Sequence, residues 1–457
     1  MTWANAKTGC VLFVICLACY LRASPEEQVV GFAMNQIRTR YVHPVSTRDL
    51  VAGALHGCAA SLDEYCQYYD WRAVNRLNEE IDRQFGGIGI EVQLDPSTKH
   101  LVVASPVPGS PAAKAGIQSG DEILAIEGRP TKDLSLEEAT KLMRGEPGTE
   151  VRIQLRRYDT GQVVEFTLRR AIVKLSTLLG DRRLPDGSWE YFLAEPSNPK
   201  LGYVRISSFA PETARQLDEL IARLLQQGMT GLILDLRNDP GGLLEPAIEI
   251  CDLFIPSGVI VTTRGRGGEL RSAIRASGRA KYRDLPLVVL VNQETASAAE
   301  IVAACLQDHR RAAVVGQRTF GKGTVQQLIN LGNRYGVLKI TTATYWRPSN
   351  RDINRRPNAS EDEAWGVEPD PGLEVKLEEG ALEQLNKVRS LRDIANPELA
   401  RRLAAALLKP KSGDAPSVDW ERYSDPQLAK AIERLLQEIR NLSSQPSVDR
   451  VAAATAQ

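Results

Sequence analysis

The stretch "GLILDLRNDPGG", residues 231–242, is an apolar run that ends in a proline and two glycines. Three other runs share its near-continuous apolar character, and they are "LGYVRISSF" (201–209), "LPLVVLVN" (285–292) and "RAAVVGQR" (311–318). Helical patterns separate them, at 211–227 and 243–254. Strands without alternation are typical of sheets buried on both faces, so the sequence predicts a layered α/β core.

Composition sets the outer bounds on class and partners. The chain has 457 residues, enough for roughly three domains at about 150 residues each, and its 43% hydrophobic content is typical of globular proteins. Its 57 basic residues balance its 57 acidic ones. A chain without net charge has no overall electrostatic attraction to nucleic acid, so we expect no nucleic-acid binding. We expect local chemistry to select the partner instead.

The N-terminus predicts export. Residues 10–21 form an apolar run that follows a segment whose only side-chain charge is Lys7. A bilayer span needs about 20 residues, so this run fits the apolar region of a secretory signal better. The segment before residue 24 is an imperfect cleavage site, so an uncleaved anchor, with membrane association, stays open. Periplasm or cell envelope is the predicted location.

The remaining chain divides by pattern into segments. Helix formers dominate 24–85, short β-like runs and two helical stretches occupy 86–172, and the apolar strands belong to a third segment. The predicted domains are a signal or anchor (1–23), an N-terminal helical segment (24–85), a β-rich domain (86–172), the core (173–375) and a helical C-terminal region with a linker and a disordered tail (376–457). The role of the last region stays open between capping the core and joining subunits.

The cysteines and histidines do not have metal-site spacing. Outside the leader the cysteines have neither a CxxC spacing nor a histidine companion, and they are Cys58, Cys66, Cys251 and Cys305. We expect small buried side chains rather than disulfides, and no metal site.

The stretch "TFGKGTVQ" (319–326) raises two interpretations of Lys322. Gly316, Gly321 and Lys322 match the G-x-x-x-x-G-K part of a phosphate-binding loop. Gly323, however, stands where that loop needs a hydroxyl for magnesium, and the residues that follow predict two strands instead of a helix. Nucleotide binding is therefore the weakest hypothesis. An exposed loop lysine is the plain alternative.

The second interpretation makes Lys322 a base, which requires a nucleophile. Ser297 stands where an apolar strand runs into a helical pattern, and Glu300 gives it the S-x-x-E spacing of a capping box. The same position at a helix start would favour negative charge developing beside the serine. His309, the histidine nearest in sequence, lies twelve residues along that helix, about 18 Å away. A nucleophilic Ser297 would therefore need Lys322.

A lysine base has a physical requirement. Lowering its pKa from about 10.4 to 7–8 takes about 4 kcal/mol against the ammonium form, which means desolvation. Gly321 and Gly323 let the backbone bend around a packed amine, with Phe320 as a predicted wall. Gln326 falls on the same face of a strand and could hold the amine.

Five motifs in this order resemble the C-terminal processing peptidases, the tail-specific serine proteases of family S41 with a Ser-Lys dyad. The motifs are "LDLRNDPGG" (234–242), "TASAAE" (295–300), "GQRTFGKGTVQ" (316–326), "TTATYWRPS" (341–349) and "GVEPD" (366–370). The likeness covers residues 27–375. It implies a crotonase/Clp-protease-like core of sheets and helices with an inserted β-rich domain, and an enzyme that needs no metal or cofactor.

The resemblance also implies roles for individual residues. Ser297 would be the nucleophile, Lys322 the general base and Gln326 the orienting residue, while the amides of Gly242 and Ala298 would form the oxyanion hole. Asp235 and Arg237 would shape the strand end. Two positions depart from the family pattern: Thr295 replaces a serine, and Asp239 replaces an asparagine or glycine.

The β-rich segment resembles a bacterial PDZ domain. Residues 110–128 have its Ser-Pro-Ala, Ala-Gly and Gly-Asp spacing, and "GGIGI" (86–90) matches its carboxylate-binding loop, with Gly87, Ile88, Gly89 and Ile90 as predicted contacts. Such a loop captures a C-terminal carboxylate while the peptide adds as a strand. Arg144 could meet the peptide or the core, or end the helix in solvent.

The leading hypothesis is an exported endopeptidase that docks protein tails on the PDZ domain and cleaves them through an acyl-enzyme. A catalytically inactive PDZ adaptor is the alternative. Oligomer formation stays open, as does the identity of the substrate.

Overall fold

A computed structural model describes residues 24–193, 199–360, 362–408 and 419–444. These residues belong to two compact units: residues 24–77 with 326–341 form one, and the other described residues, from 78 to 325 and from 342 to 444, form the second. The predicted leader and tail lie outside the described residues, as does most of the predicted linker. Within the described ranges no helix has both the length and the hydropathy that a membrane crossing requires.

The first unit is mainly helical. It contains α1 (Pro25–Arg40), α2 (Thr47–Ala60) and β1 (Gln67–Tyr69), and helix α3 (Val74–Asp82) begins in it. The capping box of Ser24 and Glu27 starts α1. Ala52, Ala59 and Tyr68 form its small core.

The β-rich segment of the second unit contains a main antiparallel sheet and a separate two-stranded one. Its strands are β2 (Gln84–Gly87), β3 (Ile90–Leu94), β4 (Leu101–Pro106), β5 (Glu122–Ile126), β6 (Arg129–Pro130), β7 (Glu150–Arg156), β8 (Val163–Arg169) and β9 (Ala171–Lys174). The main sheet has the order β3-β4-β5-β7-β8. The two predicted helical stretches are confirmed as α4 (Pro111–Lys114) and α5 (Leu136–Met143). A separate apolar core, which includes Ile123 and Ile153, fills the space between sheet and helices.

The predicted apolar strands form the central sheet of the core. Its strands, in the order β10-β13-β14-β17-β18, are β10 (Leu178–Leu179), β13 (Leu201–Ile206), β14 (Gly231–Asp235), β17 (Leu287–Val291) and β18 (Ala313–Gly316). β13, β14, β17 and β18 pair in parallel. The helices between them are α6 (Thr213–Gln226), α7 (Leu244–Phe254) and α8 (Ala298–Asp308).

Further strands lie outside this central sheet. They are β11 (Arg182–Arg183), β12 (Trp189–Glu190), β15 (Val259–Arg264), β16 (Leu270–Arg275), β19 (Thr324–Asn330) and β20 (Val337–Trp346). β19 and β20 are the two strands predicted after Lys322, and they pair with each other. A strand after the Gly-Lys-Gly loop removes the helix N-terminus that a phosphate loop requires.

Alternate residues of the central strands face different helix layers. Leu232 and Leu234 belong to the cluster that includes α6, α7 and α8, whereas Ile233 packs with α11 (Pro426–Ser444) through Leu428 and Leu435. Both faces of the sheet are therefore covered, which explains why these strands do not alternate in the sequence. The layered mixed α/β fold is confirmed.

The C-terminal region packs on the second unit. Helices α9 (Glu379–Arg392) and α10 (Pro397–Leu407) bury Leu391, Leu399 and Leu403 against Val102 and Ala104 of β4. Helix α11 begins at Pro426, and the Asp425 carboxylate accepts from the N–H groups of its first turn. Of the two roles that the sequence left open, α11 performs the first, because it caps the core.

Candidate active site

Ser297 lies at the turn between β17 and α8, in a conformation that is unusual for its residue type. Its φ is +56°, in the left-handed region where non-glycine residues are strained. Thr295 fixes the turn, since its hydroxyl donates to the Leu236 carbonyl (2.8 Å) and accepts from the Asn292 N–H (3.0 Å). Thr295 thus anchors the turn with its hydroxyl although it departs from the family serine. Such strain is typical of positions where a side chain must project from a sheet edge.

Glu300 connects this turn to the lysine loop. Its buried carboxylate accepts from the N–H groups of Ser297 (2.8 Å), Gly321 (2.7 Å) and Lys322 (2.8 Å) and from the Thr319 hydroxyl (2.5 Å). Burial raises the pKa of Glu300 to about 7, and these hydrogen bonds oppose the rise. The predicted S-x-x-E pair is therefore more than a helix cap, because the same carboxylate holds a second segment.

The two glycines around Lys322 meet different requirements. Gly321 has a φ of +85°, and a side chain there would press on Trp365 and Arg355 at 2.8 Å. A side chain at Gly323 would overlap the backbone of Asn354. Asn354, Arg355 and Trp365 therefore lie directly on the lysine loop, and the Arg355 N–H donates to the Gly321 carbonyl (2.8 Å).

The predicted wall around Lys322 is not where the sequence placed it. Phe320 is 43% exposed, which does not fit a wall of a desolvated pocket. Trp365 is instead the buried aromatic residue beside the loop, and the guanidinium groups of Arg318 and Arg355 stack on its ring at 4.6 and 4.5 Å.

The glycine loop after β14 runs beside the first amide of α8. A Cβ on Gly241 would stand 2.8 Å from the Ala298 nitrogen. The Phe209 N–H donates to the Gly241 carbonyl, and the Leu243 N–H donates to the Phe209 carbonyl, so the N–H of Gly242 points away from Phe209. Across the part of the chain that the structure describes, neither the Gly242 N–H nor the Ala298 N–H donates to a protein acceptor. Both are available to an oxyanion.

A buried ionic network supports the end of β14. The Arg237 guanidinium contacts the carboxylates of Asp235 (2.6 Å) and Asp425 (2.9 Å), and the Tyr203 hydroxyl donates to Asp235 (2.5 Å). Although burial opposes its charged form, the Arg237 charge lowers the pKa of Asp425 to about 2. Asp235 and Arg237 thus bind each other and α11, in agreement with their predicted structural role.

The PDZ-like loop is held by its carbonyls. The Gly89 carbonyl accepts from the Val107 N–H (2.9 Å) and the Ser110 hydroxyl (3.0 Å), and the Ile88 carbonyl accepts from the Ala112 N–H (2.9 Å). Among the described residues, the N–H groups of Ile88 and Gly89 have no protein acceptor. Gly87 ends β2 and Ile90 begins β3, which is an edge strand of the main sheet.

Comparison with known proteins gives the family. Residues 200–371 match the model described as peptidase family S41, and residues 102–157 match a PDZ domain. A carboxyl-terminal-processing protease of Synechocystis sp. is 37% identical over 75% of this chain and 75% of its own. The carboxy-terminal-processing protease of Bartonella bacilliformis is 32% identical over 92% of this chain and 91% of its own. The chain belongs to peptidase family S41.

A solved structure of the photosystem II D1 C-terminal processing protease shares 27% identity and covers 86% of this chain and 98% of its own, with a TM-score of 0.43. As an S41 peptidase with a PDZ domain, the protein is a serine-type endopeptidase, and its partners are protein substrates.

The remaining predicted residues of this S41 peptidase lie as follows. Gln326 is on β19, and its side-chain amide donates to the Thr341 hydroxyl (3.2 Å). The Arg144 guanidinium stacks on the Phe85 ring at 4.4 Å, within the β-rich segment. His309 ends α8, where its ring bonds the Val259 carbonyl.

The four cysteines of the described chain are free. Cys66, Cys251 and Cys305 are buried, but Cys58 is exposed, so the prediction of burial is wrong at that position. Cys58 lies near the end of α2, in a unit whose small core leaves most of that helix exposed. The described residues hold no group of three or more metal-binding side chains.

Sequence reasoning missed two buried groups of the site. Glu300 was interpreted only as a cap, although the S-x-x-E spacing pointed to it. Thr319 had no distinct signal: its hydroxyl joins Glu300 to the "GVEPD" motif by accepting from the Val367 N–H (2.8 Å). Gly366 is needed there because a Cβ would stand 2.7 Å from the Thr319 oxygen.

Proposed function

We propose that this S41 peptidase cleaves protein C-terminal tails with Ser297 as nucleophile and Lys322 as general base. The observation that supports it most is the Glu300 carboxylate, which binds the backbones of both residues and so brings two segments 25 residues apart in sequence to one place. A structural cap would need only the Ser297 half of this arrangement.

The proposed reaction has an acylation step and a deacylation step. Neutral Lys322 Nζ takes the Ser297 hydroxyl proton as Oγ bonds to the scissile carbonyl carbon. The carbonyl oxygen becomes negative and accepts from the amides of Gly242 and Ala298, at the N-terminus of α8. The C–N bond then breaks, and Lys322 returns the proton to the leaving amine. In deacylation Lys322 takes a proton from water as the water attacks the acyl carbon, and it gives that proton to Ser297 Oγ as the ester bond breaks. Gln326 as the orienting residue stays a prediction of the sequence.

Recognition of the tail is assigned to the PDZ domain. The unoccupied N–H groups of Ile88 and Gly89 suit a terminal carboxylate, and edge strand β3 can pair with an added peptide strand.

Export to the periplasm or cell envelope remains part of the proposal, as do membrane association through residues 1–23 and self-association.

A cleavage assay tests this function. A fluorogenic peptide with an apolar, free C-terminus is incubated with the parent, Ser297→Ala and Lys322→Ala, and with the surface controls Ser443→Ala and Lys376→Ala. We expect both active-site variants to lose cleavage by at least about 10³-fold, while both controls match the parent. An unchanged rate in Ser297→Ala contradicts the acyl-enzyme.

Two further arms separate recognition from chemistry. Amidation of the peptide C-terminus should raise KM or lower kcat, since it removes the carboxylate. If the parent binds the peptide but cuts nothing under any condition, the inactive adaptor is correct instead.

A further inference from the structure

Asp239 stands at the base of the glycine loop and contacts both halves of the site. Its side chain is fully buried, and its Oδ1 accepts from the Gly241 N–H (2.8 Å). Its backbone carbonyl accepts from the N–H of Ala296, the residue before Ser297 (2.9 Å). Asp239, which differs from the family pattern, therefore holds Gly241 in place, and the next amide in the loop is that of Gly242.

The second carboxyl oxygen of Asp239 has no protein partner. Its Oδ2 is buried and unbonded within the described residues. A buried carboxylate needs hydrogen bonds to all its lone pairs or a close cation, and one N–H does not meet that need. A protonated carboxyl, which accepts with one oxygen and carries a proton on the other, suits this site better and has the shape of an asparagine amide.

The surrounding charges point the same way. Burial raises the pKa of Asp239 well above its usual range, while the Gly241 N–H and the charge of Arg83 lower it. Arg83 is the cation whose charge acts on Asp239, and its own Nε is buried without a hydrogen bond in the described structure. The other titratable groups of the site are Glu300, on α8, and Lys322, in the loop that Glu300 binds.

We propose that Asp239 is a pH-sensitive positioning residue, which holds the oxyanion loop in its neutral form and opposes catalysis when it ionises. The inference rests on the proposed function, because it takes the Gly242 amide as an oxyanion donor. An ionised Asp239 would set a negative charge beside the place where the substrate carbonyl becomes negative, at low effective dielectric. Activity would then fall on the alkaline side, after rising as Lys322 loses its proton.

The test compares pH profiles of kcat for the parent, Asp239→Asn and the exposed control Asp284→Asn, between about pH 5 and 10. The asparagine oxygen keeps the bond to Gly241 and cannot ionise. We expect the ratio of kcat, Asp239→Asn over parent, to rise about tenfold per pH unit above the parent's alkaline limb. The control should follow the parent. A constant ratio across the range overturns the proposal.

A second variant changes the charge at Arg83. Arg83→Gln removes a positive charge that favours ionised Asp239, so the alkaline limb should move to higher pH, whereas Arg83→Lys should leave it near its place. If the alkaline limb of kcat stays at the same pH in both Arg83 variants, the proposal is contradicted, even if Asp239→Asn fails to fold.

Thermal unfolding separates this inference from the proposed function. A carboxyl whose folded pKa is raised contributes stability that is full below its unfolded pKa, near 4, and is lost as pH rises through the folded value. The Tm of Asp239→Asn relative to the parent should therefore increase with pH, whether or not the chain cleaves peptides. If the Tm difference between Asp239→Asn and the parent is the same at every pH, the assignment of Asp239 is overturned. If that difference rises with pH but the protein cleaves no peptide, only the proposed function is contradicted.

Discussion

The backbone N–H groups of Ser297 and Lys322 donate to the same oxygen, Glu300 Oε2, at 2.8 Å each. The two amide nitrogens are therefore at most about 6 Å apart. Since Oε1 also binds Thr319 and Gly321, one carboxylate determines the relative position of the helix start and the lysine loop.

Glu300→Gln should reduce kcat by about 100-fold or more. The amide can accept with one oxygen only, so its NH₂ group would face either the N–H groups of Ser297 and Lys322 or the N–H group of Gly321. Either clash would displace the helix start or the lysine loop, and small displacements of catalytic groups have costs of this size. Steady-state kinetics measure the loss. The exposed Glu249→Gln on α7 is the control, and equal rates for the two variants would show that Glu300 has no positioning role.

The stability of the protein should depend on the ionisation of Glu300. Its folded pKa is raised to about 7, so its stabilising contribution is complete below its unfolded pKa, near 4.3, and is lost as pH rises through 7. The total loss amounts to about 4 kcal/mol, of which about 3 kcal/mol falls between pH 5 and pH 8. Urea unfolding near pH 5 and near pH 8 measures it as a change in the free energy of unfolding. Glu300→Gln should lack this part of the slope, and an unchanged slope would contradict the raised pKa.

The order of elements could be predicted from sequence because local patterns determine it. The non-alternating residues of β14 and β17 predicted a sheet covered on both faces. Contacts between distant segments have no such pattern. Nothing in the sequence around Thr319 indicates that its hydroxyl meets Glu300, and nothing around Trp365 indicates that it, and not Phe320, is the buried ring beside Lys322.

Gly241→Ala should reduce kcat strongly with a smaller effect on stability. The new Cβ would stand 2.8 Å from the Ala298 nitrogen and the Ser297 Cβ, and would separate the two oxyanion donors. Gly267→Ala is the matched control, because Gly267 also has a positive φ, +71°, but has open space around it. Both variants share the backbone strain of about 1 kcal/mol. Only Gly241→Ala should lose about 10²-fold in kcat; a similar loss in both would assign the effect to strain.

Asp425→Asn should destabilise the protein by about 3 kcal/mol at neutral pH, since it leaves Arg237 with one buried carboxylate partner fewer and loosens α11. The folded pKa of Asp425 is lowered to about 2, so its contribution is present above its unfolded pKa and is lost as pH falls through 2. Chemical denaturation should show that the difference in the free energy of unfolding between the variant and the parent becomes smaller below about pH 4. The exposed Asp419→Asn is the control. If the difference in the free energy of unfolding does not depend on pH, the loss comes from packing and the ion pair does not contribute.

Gly89→Ala should weaken tail binding without changing the chemistry at Ser297. A side chain at Gly89, whose φ is +76°, would overlap the Ser110 side chain and move the amides of Ile88 and Gly89 from their present positions. Gly109→Ala is the matched control, because Gly109 has a φ of +77° and open space around it. Fluorescence anisotropy of a labelled tail peptide on the Ser297→Ala background measures binding without cleavage. We expect at least about a tenfold increase in Kd for Gly89→Ala alone, since a misaligned loop loses charge-assisted bonds to the carboxylate. Equal affinities for the two variants would place tail recognition outside this loop.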